Sequence, residues 1–500
     1  MGTFEQLQQG LGAAWAARHG RRDGCETGHV LVVMPSFSVQ GQLLQHYGAR
    51  FGSMEHRYLL LALAARDPRC EVVYVSSLAP GPGVLDYYAS LLAPAERAGF
   101  LERLHVVTVA DPSWRPTAAK LLDDPAAVER VRAAVRGRPA MLEVWNVTAT
   151  EEAAALALGV PIDGTPARLR ALGFKSAGRR LFHAAGIDAP VGCEDVRGLD
   201  EVARAVEDIR RRRPGTERVV VKLDDSGAGD GNVTVGVRDG QGSDLAGGRL
   251  LQALTQALSP AYLAELAAGG VVEELVVGDE VTSPSGQADI GPDGSVTVAS
   301  THEQVLGGPG GQVYSGCILP SEPVYAVRIA RATASVAERL AALGARGRVG
   351  VDFVARREGD RWSVLALEVN LRNGGTTHPL AGLAALVRGR YDAAGGCWVT
   401  PDGEQRCYCS TDNIVDAHWL GLDPLRVVAA VRGAGIGFDV ATGTGVVLQM
   451  LSGLSVDGRI GLTAIAPTTA AARQLAERGG AVIGACVTTG PQGRRREPAN

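Results

Sequence analysis

Four short apolar runs recur through the first 160 residues, and stretches with helical spacing separate them. The runs are His29–Met34, Glu71–Ser76, His105–Ala110 and Ala140–Val147. Strands that alternate with helices form parallel sheets, so this pattern predicts an α/β, Rossmann-like domain over residues 1–160. The turn after the first run, at 35–41, lacks the G-x-G-x-x-G spacing and gives no support to dinucleotide binding.

From residue 161 the pattern changes to strands joined by glycine-rich turns, which is typical of an α+β domain. We predict a helix over Leu169–Ala185 and strands at Arg218–Leu223, Asn232–Val237, Val271–Val277, Val349–Ala355 and Trp362–Leu371. The predicted domains are a core at 161–388, with a glycine-rich lid at about 188–277, and a small C-terminal α/β domain at 389–500. A Gly/Pro/Arg-rich tail, predicted to be disordered, ends the chain.

Composition argues against several functional classes. The net charge is −4, so no electrostatic footprint for nucleic acid or an anionic membrane is visible. The chain has no run of 18 apolar residues and no basic-then-apolar leader pattern, so we expect neither a membrane span nor a secretory signal. Cys397, Cys407 and Cys409 match no common zinc spacing, which favours free thiols over a metal site. We therefore expect a cytoplasmic protein.

Lysine is scarce in this chain. Of 50 basic residues only three are lysine, at Lys120, Lys175 and Lys222. Arginine evidently serves wherever a surface cation is needed. A retained lysine therefore suggests a position that requires a compact ammonium instead of a planar guanidinium. Chance retention is the alternative, and the positions of the three lysines decide between the two.

The segment VLALEVNLR at 364–372 predicts a strand with chemistry on one face. Because side chains alternate along a strand, Glu368, Asn370 and Arg372 share a face. Asp352, on the preceding strand, is expected opposite Glu368 in an antiparallel hairpin. Facing carboxylates are unfavourable unless a cation lies between them, and carboxylate and amide oxygens suit Mg²⁺. The alternative is a polar sheet edge that faces water.

Residues 219–237 predict two strands around a loop of glycine and small polar residues. Backbone N–H groups in such a loop can bind phosphate, although the spacing is not that of a P-loop. Lys222 ends the first strand, and Lys175 precedes a helix. The segment VVEELVVGDE at 271–280 offers backbone groups for an adenine edge and carboxylates for ribose. Taken singly, these segments fit an ordinary hairpin, a helix-start lysine and an acidic turn about equally well.

Together, and in this order, the segments resemble the ATP-grasp superfamily. The resemblance implies that Lys175 and Lys222 bind the α- and β-phosphates of ATP, and that Asp352, Glu368 and Asn370 bind Mg²⁺. It implies that Arg372 stabilises the transferring phosphoryl group. The remaining ATP-binding residues implied are Ser226, Gly227, Gly229, Gly231 and Asn232 in the loop, Glu273, Glu274, Leu275 and Val276 at the adenine, and Glu280 at the ribose.

More narrowly, the chain resembles the pheganomycin-type peptide ligases, which have a pre-ATP-grasp domain, an ATP-grasp core and a dedicated C-terminal domain. The phrases that carry the resemblance are FKSAGRRLF, EVTSPSGQ, STHEQVLGG, LEVNLRNGGTTHP and GTGVVLQMLSGLSVDGRIGLTAI. The family implies a ligase that joins an amino-acid-like carboxylate to an amino acid or peptide through an acyl phosphate, in natural-product biosynthesis. Its expected partners are small-molecule or peptide substrates and a second copy in a homodimer.

Some roles stay open within that resemblance. Many ATP-grasp ligases have an arginine two residues before the first metal-binding acid, but here that position is Gly350, and Arg348 lies two residues earlier. We favour Arg372 for the acyl phosphate and keep Arg348 as the alternative. His302, expected in a loop, either orients substrate or is structural, and the same holds for His378. The functional alternatives are a phosphotransferase or carboxylase on the same fold, or an inactive nucleotide-binding protein.

Overall fold

Four strands from the first 160 residues form a parallel sheet. The computed structural model describes residues 3–19, 28–38, 48–226, 231–307 and 313–488. The first strands are β1 (His29–Val33), β2 (Cys70–Ser76), β3 (Leu104–Thr108) and β4 (Ala140–Glu143). They pair in the order β3-β2-β1-β4, and every neighbouring pair is parallel. The strands coincide with the apolar runs, which confirms the predicted α/β sheet.

The helices of this region begin and end with ordinary capping chemistry. Thr148 and Glu151 form a capping box at the start of one helix, and Gly159, with φ +70°, ends it in the left-handed conformation that glycine favours. The helices are α1 (Phe4–Gln8), α2 (Leu11–His19), α3 (Phe51–Glu55), α4 (Leu59–Ala62), α5 (Val84–Ser90), α6 (Pro94–Arg103), α7 (Thr117–Leu122), α8 (Pro125–Val135) and α9 (Ala149–Leu158).

A second, antiparallel sheet forms the lid. Its strands are β5 (Gly192–Cys193), β6 (Arg218–Leu223), β7 (Asn232–Gly236) and β8 (Gly270–Glu274), and they pair in the order β5-β8-β6-β7. The helices of this part are α10 (Lys175–Ala185), α11 (Leu199–Arg212), α12 (Gly247–Ala257) and α13 (Pro260–Leu266). Val202, Val206 and Ile209 recur at helical spacing along α11 and are buried in the lid's own apolar core.

The largest sheet holds the rest of the strands. These are β9 (Glu280–Thr282), β10 (Pro284–Ile290), β11 (Val296–Gly307), β12 (Val313–Leu319), β13 (Gly347–Glu358), β14 (Arg361–Asn370), β15 (Arg390–Asp392), β16 (Cys397–Val399), β17 (Gln405–Val415), β18 (Gly445–Gln449) and β19 (Arg459–Ala466). The main order is β14-β13-β10-β11-β12-β17-β16-β15, with β9 beside β13 and β19 beside β17. The helices are α14 (Pro323–Ala342), α15 (Thr377–Leu386), α16 (Pro424–Gly433) and α17 (Thr469–Thr488).

The C-terminal segment continues the core sheet, because β17 pairs with β12. One apolar cluster joins this segment to the N-terminal region, for Leu60, Leu383 and Leu462 belong to the same buried core. The N-terminal region, the core and the C-terminal segment therefore pack against one another through a shared apolar core. The predicted disordered tail from 489 onward lies outside the described residues. Among the helices that are described, none is both long and apolar enough to cross a membrane.

Several local predictions need correction. The helix predicted over Leu169–Ala185 is divided into a 3₁₀ turn at Ala167–Gly173 and α10, and Gly186 ends α10 as predicted. The strand predicted over Val271–Val277 ends at Glu274. The segment STHEQVLGG, expected to be a loop, forms strand through Gly307. Its alternation was hidden because both faces of that strand carry polar side chains.

Candidate active site

A cavity of about 1890 Å³ opens between the lid, the large sheet and the N-terminal region. Among the predicted site residues that the structure describes, Lys175, Arg348 and His302 do not line it. The predicted residues that do are Lys222, Ser226, Gly231, Asn232, Glu273, Glu274, Leu275, Val276, Glu280, Asp352, Glu368, Asn370 and Arg372. Gly227 and Gly229 lie outside the described residues.

The hairpin β13–β14 brings the predicted metal ligands together. Asp352 pairs directly with Glu368, as predicted, and a bulge at Leu367 on β14 lies next to this pair. Asp352 accepts hydrogen bonds from Gln304 Nε2 at 2.7 Å and from Asn370 Nδ2 at 2.9 Å. Burial, and then the charge of Glu368, raise the pKa of Asp352 to about 7. Two carboxylates in this relation favour a divalent cation between them.

The donor set suits magnesium better than a transition metal. In the described chain, no group of three or more His, Cys, Asp or Glu side chains is arranged to hold a metal. Two carboxylates and one amide are all oxygen ligands, and Mg²⁺ completes its shell with water and phosphate oxygens. The described cysteines, among them Cys397, Cys407 and Cys409, are free. The residues present therefore fit a magnesium–phosphate complex.

Lys175 connects the start of the glycine-rich loop to the hairpin β13–β14, which carries the predicted metal ligands. Its Nζ donates to the backbone oxygen of Ser226 at 2.9 Å and to the Ser226 hydroxyl at 2.8 Å. The same ammonium lies 3.5 Å from Glu368 Oε2. A Cβ placed on Gly231 would fall 2.3 Å from Ser226 Oγ, so only glycine permits this closure of the loop. The lysine thus holds Ser226, the first residue of the loop, beside the hairpin β13–β14.

Lys222 lies in a buried ion-pair chain. Its ammonium contacts Glu273, which also accepts a hydrogen bond from Arg179 Nη1 at 2.7 Å. Burial alone would raise the pKa of Glu273, but Lys222 and Arg179 hold that pKa below its usual range. An ammonium has three donors, so one ion pair leaves hydrogen-bonding capacity for a ligand in the cavity.

The adenine segment offers less free backbone than the sequence suggested. The N–H groups of Glu274 and Leu275 already donate to Val191 and Arg218. Val276, past the end of β8, makes no backbone hydrogen bond to any described residue. Glu280 begins β9, where it pairs with Arg357 at 3.2 Å and remains half exposed at the cavity. The side chain of Glu273 is already paired. Of the four residues predicted at the adenine, Val276 is therefore the one whose backbone groups have no partner among the described residues.

The two candidate arginines differ sharply in surroundings. Arg372 lines the cavity, has no ion pair among the described residues and rests 5.8 Å from the centre of the Trp145 ring. Arg348 is bound by both oxygens of Asp289, at 2.5 and 3.0 Å. These contacts favour Arg372 for the acyl phosphate over the alternative, Arg348, because Asp289 engages the Arg348 guanidinium outside the cavity.

Both histidines are buried in structural networks. His302 hydrogen-bonds Tyr408 Oη at 2.7 Å, and burial lowers its pKa to about 3. It does not line the cavity, which favours the structural alternative over a role in orienting substrate. His378 lies 3.0 Å from Asp412 Oδ1, and Asp412 itself lines the cavity. His378 therefore contacts the cavity only indirectly, through the Asp412 carboxylate on its wall.

The sequence did not single out four residues of the wall. Gln304 contacts Asp352, and its neighbour His302 drew attention instead because the strand was expected to be a loop. Arg57, Trp145 and Asp412 come from parts of the chain outside the core and line the cavity together. No local pattern marks them, because their proximity arises from contacts over hundreds of residues.

Comparisons with known proteins bear on this geometry. The fold is similar to that of an ADP complex of purK, an N5-carboxyaminoimidazole ribonucleotide synthetase, with TM-score 0.50, 12% identity and coverage of 91% of this chain and 96% of that one. It is also similar to biotin carboxylase from Campylobacter jejuni in its β-γ-ATP complex, with TM-score 0.51, 11% identity and coverage of 88% and 87%. These likenesses show the fold.

Sequence relatives narrow the class. The chain is 35% identical over 421 residues to the L-propargylglycine–L-glutamate ligase of Streptantibioticus cattleyicolor, which covers 81% of this chain and 84% of the relative. A family model described as the PGM1 C-terminal domain matches residues 426–478. The chain belongs to the ATP-grasp peptide-type ligases. It is an ATP-dependent enzyme that forms carbon–nitrogen bonds, as the sequence predicted.

Proposed function

We propose that the protein joins the carboxylate of one amino acid to the amine of another amino acid or of a peptide, and releases ADP. The observation that carries this proposal is that the hairpin carboxylates, Lys222 and Arg372 line one cavity, and that Arg372 forms no ion pair with any described residue. The relative joins two amino acids by name. One of them, L-propargylglycine, is not a ribosomal amino acid, which supports a role in natural-product assembly.

The binding roles follow from the contacts. Asp352, Glu368 and Asn370 would hold Mg²⁺, which supplies charge neutralisation on the phosphates. Lys222 offers ATP the ammonium hydrogens that Glu273 does not take, and Lys175 holds the loop at Ser226 beside them. Free thiols among the described cysteines support a reducing compartment such as the cytoplasm.

The chemical step requires positioning and charge neutralisation more than a protein nucleophile. A substrate carboxylate oxygen attacks the γ-phosphorus, and the bond to the β–γ bridging oxygen breaks to leave ADP. Arg372 then faces the phosphoryl oxygens where charge develops. The amine attacks the acyl carbon, phosphate leaves, and the amine's proton passes to solvent or phosphate. Closure of the lid would keep water from the acyl phosphate.

The test is a screen of paired amino acids and short peptides, including L-propargylglycine with L-glutamate, for ADP release and product mass. Hydroxylamine added without an amine substrate should trap the acyl phosphate as a hydroxamate. We expect ADP release that needs a carboxylate, and a product lighter by one water than its two substrates. ADP release with bicarbonate, or a stable phosphorylated product and no amide, would instead identify a carboxylase or phosphotransferase and overturn the proposal.

A further inference from the structure

A second guanidinium on the cavity wall comes from the N-terminal region and not from the hairpin β13–β14. Arg57 belongs to the 3₁₀ turn His56–Tyr58, and its side chain is only 8% exposed. Its Cζ lies 5.4 Å from the centre of the Phe37 ring and 5.3 Å from that of Trp145. The guanidinium of Arg372 rests on the same indole. Two cationic groups from distant parts of the chain therefore share one aromatic platform.

Arg57 is held in place from behind. Its Nη1 donates to Asp412 Oδ2 at 3.2 Å, and its Nε donates to the backbone oxygen of Met54 at 3.2 Å. Asp412 also lies against His378 Nε2 at 3.0 Å and receives a hydrogen bond from Gln449. Burial opposes ionisation of Asp412, but His378 and Arg57 hold its pKa well below its usual range. The carboxylate is charged, and it fixes the direction of the guanidinium.

The remaining terminal nitrogen of Arg57 is available to a ligand. Within the described part of the chain, Nη2 has no hydrogen-bond partner, while the residue lines the cavity. This nitrogen is not among the buried polar atoms that lack a partner, so it is open to the cavity, where a charged acceptor would gain a charge-assisted hydrogen bond. Since Asp412 already contacts Nη1, the acceptor has to approach from the cavity side.

The charges on the wall indicate the sign of that acceptor. Among the described residues that line the cavity, the acids come from the core at 161–388, with Asp412 as the exception. The regions before and after the core contribute arginines to the wall: Arg50, Arg57, Arg459 and Arg473. The core's part of the wall is thus mainly acidic. The four arginines of the flanking regions face two carboxylates, Asp412 beside Arg57 and Asp457 beside Arg50 and Arg459, so that part of the wall stays net basic. A cation would favour the first, and a carboxylate the second.

We propose that Arg57 binds the carboxylate that the amine substrate retains, so that this substrate is an amino acid with a free carboxylate near its amine. In an α-amino acid that carboxylate is two bonds from the nitrogen, and the nitrogen has to come within ~3–3.5 Å of the activated carbonyl. The retained carboxylate then lies a few ångströms from the carboxylate being activated. The guanidiniums of Arg372 and Arg57 lie 5.8 and 5.3 Å from the centre of the Trp145 ring, which places a carboxylate-binding group in the same part of the cavity as the group proposed for the acyl phosphate.

The inference rests on the proposed function, and its test separates the two. Each amino acid that serves the wild type as amine substrate is compared with the same amino acid carrying a primary amide in place of its α-carboxylate. We expect the free acid to be preferred by about 10²-fold in kcat/KM. Arg57→Gln should lose about that factor for the acid, through KM, while its use of the amide stays near the wild-type level.

Hydroxamate formation without an amine substrate reports the first half-reaction and the integrity of the fold. It should be unchanged in Arg57→Gln, and Arg57→Lys should recover part of the preference. Arg66→Gln is the matched control, since Arg66 pairs with Glu96 in the same region and does not line the cavity. Asp412→Asn keeps the guanidinium but loosens it, and should raise the same KM by a smaller factor.

The outcomes differ for the two claims. If the wild type forms no hydroxamate with any carboxylate, the proposed function fails. If hydroxamate and amide products form, but Arg57→Gln retains the wild-type preference for the free acid, the assignment of Arg57 is overturned. A loss of hydroxamate formation in Arg57→Gln and Arg57→Lys alike, with both variants folded by circular dichroism, would place Arg57 at the activated carboxylate and also overturn it.

Discussion

Arg372 and Arg348 allow a direct contrast between an arginine proposed to be catalytic and one proposed to be structural. Arg372 has no ion pair among the described residues, and its packing on Trp145 at 5.8 Å contributes about 0.5–1 kcal/mol at most. Arg372→Ala should therefore leave the melting temperature nearly unchanged. Loss of a donor aimed at developing charge costs ~10²–10³ in kcat, or about 2.7–4 kcal/mol. Calorimetry should show nearly normal binding of ATP with Mg²⁺.

Arg348→Ala should give the reverse result. It leaves Asp289 without its bidentate partner, and because the pair is partly exposed the cost is about 1–2 kcal/mol. The melting temperature should fall by a few degrees, while hydroxamate formation per folded enzyme stays near the wild-type rate. If Arg372→Ala weakens ATP binding and keeps its rate at saturating ATP, the residue is a ground-state ligand and the reasoning is refuted.

Three further outcomes follow from the same contacts. Glu368→Gln combined with Asn370→Ala should abolish Mg²⁺-dependent ADP release and keep the circular dichroism spectrum, and near-normal release would refute the metal assignment. Lys222→Ala should raise the KM for ATP, and Lys222→Arg should not restore it, because the contact with Glu273 accommodates an ammonium and not a planar fork. Lys120→Ala should lower the melting temperature without a change in the KM for ATP, and a raised KM would contradict its structural role.

Patterns with short sequence range were predictable. Buried parallel strands appear as apolar runs, and the position of the turn between two predicted strands was enough to place Asp352 opposite Glu368. The bulge at Leu367 was not visible, because a bulge depends on how the partner strand is paired. The same limit hid β11, whose polar residues on both faces gave no period of two.

Contacts between distant segments were beyond reach. The sequence offered Arg348 as an alternative because it precedes Asp352 by four residues, but Asp289, 59 residues away, determines where its guanidinium goes. Likewise Arg57 and Asp412 are 355 residues apart, and nothing local to either suggests the other. Ion pairs of this kind depend on the packing of whole domains, so one sequence alone does not reveal them.

The retention of these three lysines has a more general explanation than nucleotide binding. All three lysines are buried, with Lys120, Lys175 and Lys222 at 2%, 4% and 8% exposure. Lys120 donates to Ser77 Oγ and to the backbone oxygen of Asp111, both at 2.9 Å, and does not line the cavity. A compact ammonium fits such confined sites where a guanidinium does not. Rarity therefore predicts a buried, hydrogen-bonded lysine, and only contact with the cavity or its loop separates a phosphate-binding lysine from a structural one.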